Sequence, residues 1–171
     1  MSHSCPPPAY AEETGLAGLT TAELLPIVTL RLFAMPWREP DQVQPDWRAG
    51  LTVAGLQDKG VSAFDRLFQI VVAAPLRLLD VRCPRCAYMG ADEGRLLQLM
   101  SFLQRGRAGG GESILKEWLP ATVARLALPA AQVLADALAE VGLRVPLRHA
   151  EAAFGDRFAR VTADRGVALV Q

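Results

Sequence analysis

The sequence contains few of the residues that most often carry catalysis or metal binding. Histidine occurs twice and cysteine three times in 171 residues, which is too few for a disulfide framework and fits a reducing compartment. Basic and acidic residues balance at 18 each, so no net charge attracts nucleic acid or an anionic membrane. The motifs GxGxxG, GxSxG and HExxH are absent, and nothing in the chain points to an enzyme.

Long hydrophobic runs are also missing. The longest extends only from Ile70 to Leu76, whereas a membrane-spanning helix needs about 18 apolar residues. The N-terminal residues lack the basic start and apolar stretch of a secretory signal. We therefore expect a cytoplasmic protein without membrane contact.

Apolar residues are abundant, at 51% of the chain with a mean hydropathy of +0.18. This composition predicts a globular domain with enough apolar surface left for a subunit interface. The proline-rich residues 1–18 have no periodicity and are interpreted as a flexible arm, and residues 19–171 as a single domain. We expect a homo-oligomer.

Helical periodicity dominates that domain. A capping box at Thr20 and Glu23 precedes the almost continuously apolar segment 24–35, which we expect to be buried. A helix capped by Ser62 and Asp65 ends before Pro75. Further elements are predicted at 46–57 (helix), 76–81 (strand), 91–105, 112–119, 122–128 and 130–141 (helices), 105–111 (loop) and 157–170 (β-hairpin). The fold class is therefore mainly α, with five to seven helices and a minor C-terminal hairpin.

The most distinctive motif is CPRC, at Cys83–Cys86. Two cysteines three residues apart can ligate one metal ion, and VRCPRC is similar to half of a zinc-ribbon knuckle. A closed zinc site needs four ligands. No cofactor is expected on the sequence alone, but zinc is possible if further ligands are supplied by a second subunit or by Cys5, His3, His149, Asp92 or Glu93.

Two other interpretations of CPRC remain open. A CPxC motif resembles thioredoxin-like oxidoreductases, which implies thiol–disulfide exchange. That fold alternates strands and helices, however, whereas residues 91–142 are predicted to be helical. The interpretation we favour is that both thiols are reduced and pack at a turn, since isolated CxxC pairs often have no special role.

The order of the C-terminal helices and hairpin resembles a winged helix-turn-helix, with LPATVARLALPAAQVLADALAEVGL supplying the two helices. A recognition helix must present donors to phosphates and bases. Segment 130–141 offers only Gln132, Asp136 and Glu140 on its polar face. We therefore do not expect nucleic-acid binding, although a winged-helix regulator stays an alternative.

The leading hypothesis is a non-catalytic interaction or scaffolding protein that binds a protein partner or itself. The alternatives are a zinc or thiol-redox protein using Cys83 and Cys86, and the winged-helix regulator.

Overall fold

The computed structural model describes Tyr10 and residues 14–148, and helices dominate that part of the chain. After a 3₁₀ turn at Leu16–Gly18, the six helices are α1 (Thr21–Arg38), α2 (Trp47–Val53), α3 (Asp58–Ala73), α4 (Ala91–Leu103), α5 (Ala108–Trp118) and α6 (Ala121–Glu140). The predicted mainly α fold is confirmed. Residues 76–81 form no strand, and the predicted hairpin at 157–170 lies outside the described residues.

The core lies where α3 and α6 pack along each other and α4 and α5 close the sides. Close approach of α3 and α6 depends on Gly60, where a Cβ would come within 2.7 Å of the Ala137 methyl. Four aromatic rings then fill the space between α1, α2 and α3: Phe33, Trp47, Phe64 and Phe68. Trp118 of α5 is fully buried.

Helix α1 begins with the predicted capping box. The Glu23 carboxylate accepts hydrogen bonds from the backbone N–H and hydroxyl of Thr20, at 2.8 and 2.9 Å. The inner face of α1, with Ile27 and Leu30, is buried as expected, while Val28 on the outer face is 44% exposed. The apolar helix is thus a core helix with one partly solvated side.

Two helices begin earlier than predicted. Helix α3 begins at Asp58 after Gln57, so Ser62 and Asp65 lie within it and do not cap it. The glycine run predicted as a loop is the first part of α5. Two of its glycines are needed for packing, because a Cβ at Gly110 would collide with Phe102, and one at Gly111 with Leu103 of α4.

Helix α6 continues through Pro129, so the two predicted helices are one and the turn of the winged-helix interpretation is absent. Gly142 follows with φ +81°, as predicted for a helix end. The helix has the length and hydropathy of a possible membrane span. A core helix has the same properties, and the face with Leu134 and Leu138 is buried in the domain.

Candidate functional site

The loop between α3 and α4, residues 74–90, is the longest irregular segment between the helices that the structure describes. Loops of this length inside compact domains are uncommon unless they carry function. This loop contains the CPRC motif and is held on several sides. Its start is fixed by the Leu76 N–H, which donates to the Trp118 carbonyl at 2.8 Å.

Asp92, in the first turn of α4, holds the first half of the loop. Its carboxylate accepts two hydrogen bonds from the Arg77 guanidinium, at 2.7 and 2.8 Å, and one from the Asp80 N–H at 2.6 Å. The Trp118 indole donates a fourth, at 2.8 Å. Burial alone would raise the pKa of Asp92, but these donors outweigh it, and the pKa is lowered.

Glu93 holds the second half of the loop through Arg31, the one charged residue within the apolar stretch of α1. Arg31 donates to both carboxylate oxygens, at 2.7 and 2.8 Å, and both side chains are almost fully buried. Glu93 also accepts from the backbone N–H groups of Arg82 and Gly90, at 2.9 and 2.8 Å. The remaining Arg31 donors reach the carbonyls of Cys86 and Tyr88.

Cys83 and Cys86 face each other across a turn and are joined by a disulfide, with their Cα atoms 5.3 Å apart. The Cys86 N–H donates to the Cys83 carbonyl at 3.0 Å, and both residues are half-buried. The sequence alone favoured two reduced thiols, whereas the structure contains the oxidised pair.

The two carboxylates considered as metal ligands, Asp92 and Glu93, are already engaged in hydrogen bonds within the protein. Each oxygen of Asp92 and of Glu93 accepts two hydrogen bonds, which uses the roughly four acceptor positions of a carboxylate. A metal ion would have to displace these donors. Among Tyr10 and residues 14–148, no three His, Cys, Asp or Glu side chains are placed to hold a metal ion. Cys5, His3 and His149 lie outside the described residues.

An apolar groove of about 480 Å³ runs beside the loop, between the C-terminal halves of α1 and α3. Phe33, Phe68 and Val71 belong to its walls. Its rim carries two large apolar side chains in contact with solvent: Trp37 is 57% exposed and Leu78 is 92% exposed. The only charged residues that line it are Arg38 and Arg77.

Glu23 is the centre of a second buried cluster, at the other end of α1. The carboxylate is fully buried and accepts from the Tyr10 hydroxyl at 2.9 Å and from Arg148 at 2.8 and 3.1 Å. Burial opposes its charge, but Arg148, Thr20 and Tyr10 together lower the pKa of Glu23 to about 2. This cluster ties residues next to both termini of the described chain to one helix.

Four of the candidate residues in the sequence meet at this loop: Cys83 and Cys86 lie in it, and Asp92 and Glu93 hold it from the first turn of α4. Arg31 had no predicted role, although a single charge inside an apolar helix signals a buried partner. The groove was not predicted either, because it depends on how the loop folds back onto α1 and α3.

Comparison of the chain with protein-family models, with curated proteins and with solved structures found no match in any of the three.

Proposed function

We propose that this chain is a non-catalytic interaction protein that binds an amphipathic helix of a partner protein, with acidic residues flanking its apolar face, in the groove between α1, α3 and residues 75–81. The observation that carries the proposal is the exposed apolar rim. Leu78 is 92% and Trp37 57% exposed, a costly arrangement in water at about 25 cal/mol per Å² of apolar surface.

The rim favours a protein as the occupant. Val72, which also lines the groove and is 43% exposed, extends this apolar surface. A small ligand is usually enclosed by its pocket, whereas a helix laid in a groove leaves such a wide, open apolar border to be covered. Tryptophan and arginine are also the residues that most often dominate the binding energy of protein interfaces.

The charge of the lining favours an acidic partner. Arg77 is neutralised by Asp92, but Arg38 forms no ion pair within the described part of the chain and donates to the Val81 carbonyl. No acidic side chain lines the groove. A partner helix with glutamate or aspartate beside its apolar face would therefore meet a complementary positive charge.

The test uses two synthetic helical peptides with leucines at positions i, i+3, i+4 and i+7. One carries glutamates beside the leucines, and the other carries lysines. Binding is followed by tryptophan emission, because Trp37 is exposed whereas Trp47 and Trp118 are buried. We expect only the acidic peptide to bind and to shift the emission to shorter wavelength.

The Leu78→Glu variant should weaken binding of the acidic peptide by at least about tenfold. Val53→Glu is the matched control, since Val53 is 88% exposed but lies on α2, away from the groove. Equal affinity of the two variants for the peptide would refute the groove as the binding site.

Binding of dodecanoate without binding of the peptide would identify a small amphiphile as the occupant instead. A dimer in sedimentation that Leu78→Glu dissociates, again without peptide binding, would identify a second copy of the chain.

A further inference from the structure

The cysteine pair takes no part in the proposed groove. Cys83 and Cys86 lie in the next turn of the same loop, joined across a Cα separation of 5.3 Å. Both are half-buried, so a small thiol reagent can approach them. A disulfide on an accessible turn can exchange with external thiols more readily than one enclosed in a core, because exchange requires a thiolate to reach one of its sulfurs.

The turn that carries the pair is fixed by hydrogen bonds that do not involve sulfur. Buried Arg31 donates to the Cys86 carbonyl at 2.7 Å, and the Cys86 N–H donates to the Cys83 carbonyl at 3.0 Å. On the other side, the Arg82 N–H donates to Glu93 at 2.9 Å. Reduction breaks none of these contacts. The two Cα atoms should therefore stay within the 4.4–6.8 Å range in which a disulfide re-forms.

Two arginines are sequence neighbours of the cysteine pair. Arg82 and Arg85 are exposed on either side of Cys83. Arg82 is paired with Asp80 at 3.3 Å, but Arg85, directly before Cys86, forms no ion pair with any residue that the structure describes. An uncompensated cation beside a partly exposed cysteine favours the reactive thiolate over the thiol.

We propose that Cys83 and Cys86 form a reversible dithiol–disulfide exchange site, whose co-reactant is an external dithiol or disulfide. In the reducing direction, a thiolate of the external dithiol attacks one sulfur of the pair and releases the other as a thiolate. The second thiolate of the reagent then attacks the resulting mixed disulfide and closes the reagent's own disulfide. The reagent loses two electrons and two protons, and Cys83 and Cys86 gain them. The reverse sequence oxidises the pair.

The experiment uses the full chain with Cys5→Ser, so that only the pair reports. The protein is equilibrated in buffers with graded ratios of reduced to oxidised glutathione, and its thiols are counted by alkylation with a maleimide polymer. We expect both thiols to disappear together over one range of ratios, with the zero-thiol form free of bound glutathione by mass spectrometry. Two thiols at every ratio, or a stable species with glutathione on each cysteine, would overturn the proposal.

The role of the charge is tested by the rate at which the reduced protein reacts with iodoacetamide at pH 7. We expect a rate several-fold above that of free cysteine, since a thiol with ordinary acidity is only a few per cent thiolate at this pH. Arg85→Gln should lower the rate at least about threefold, while Arg144→Gln, an exposed arginine distant in sequence, should not. Equal rates in the two variants would show that the charge of Arg85 does not raise the reactivity of the cysteines. Because peptide binding in the groove is not measured here, failure of this site leaves the proposed function untouched.

Discussion

Arg31 and Glu93 form an ion pair that is closed off from solvent, with side chains 1% and 0% exposed and two hydrogen bonds of 2.7 and 2.8 Å between them. The pair joins α1 to α4 and also fixes the backbone of the cysteine turn. The proposed exchange site and one wall of the groove therefore depend on a contact in the interior.

Replacing Arg31 with methionine should lower the free energy of unfolding by about 3–5 kcal/mol, because it leaves a buried carboxylate without its counter-charge. Lys59→Met is the control. Lys59 pairs with Glu140 at a similar 2.9 Å, but both side chains are more than half exposed, and such pairs contribute about 1 kcal/mol or less. Urea unfolding followed by circular dichroism compares the two. Similar losses in both variants would contradict the structural role given to Arg31.

Acidification should destabilise the protein through Glu23. Its pKa is 4.5 in ordinary surroundings and about 2 in the fold, so the stabilisation is complete above pH 5 and is lost as the pH falls towards 2. The difference corresponds to about 3 kcal/mol. Glu23→Gln should flatten this part of the profile of unfolding free energy against pH. Glu39→Gln, at an exposed position, should leave it unchanged, and an unaltered slope in Glu23→Gln would refute the assignment.

The sequence predicted local structure well where one residue's chemistry decides the outcome. Glu23 reaches back to Thr20 as the capping-box pattern requires, and Gly142 adopts the positive φ expected after a helix. Both depend on contacts within a few residues along the chain. The positions of α1 and α4 followed from apolar spacing and from acids in a first turn.

Predictions failed where contacts between distant segments override local preference. The glycines at 109–111 favour a loop by propensity, yet they are helical. At Gly110 and Gly111, α5 can approach Phe102 and Leu103 of α4 only because no side chain is present. The helices predicted at 122–128 and 130–141 are one, because α6 continues through Pro129 while its apolar face packs on α3 and α5. The groove could not be predicted, because loop 74–90 is positioned by Asp92, Trp118 and Arg31 rather than by its own sequence.

Gly90 should tolerate no larger side chain. Its φ of −80° is ordinary for any residue, but a Cβ there would collide with the carbonyl oxygen of Asp80. Because this obstacle is backbone, Gly90→Ala must displace the loop, at a cost of about 1–3 kcal/mol. Gly109→Ala in α5 meets open space and should be neutral or stabilising by about 0.5 kcal/mol. Thermal melts of the two variants give the comparison, and equal melting temperatures would show that the Asp80 contact is not restrictive.

The Cys83–Cys86 bond should add only modestly to stability. It closes a four-residue loop, for which loss of chain entropy in the unfolded state accounts for about 2 kcal/mol at most. Reduction with dithiothreitol, or the double change Cys83→Ser and Cys86→Ser, should therefore lower the free energy of unfolding by no more than this amount.

The native arrangement of the loop should survive that loss, because Arg31, Glu93 and Asp92 hold its backbone without using sulfur. Amide hydrogen exchange of residues 76–82 in the oxidised and reduced protein tests this directly. We expect equal protection in both states, with any difference confined to residues 83–86. Loss of protection throughout 76–82 on reduction would mean that the disulfide, and not the buried carboxylates of α4, positions this wall of the groove.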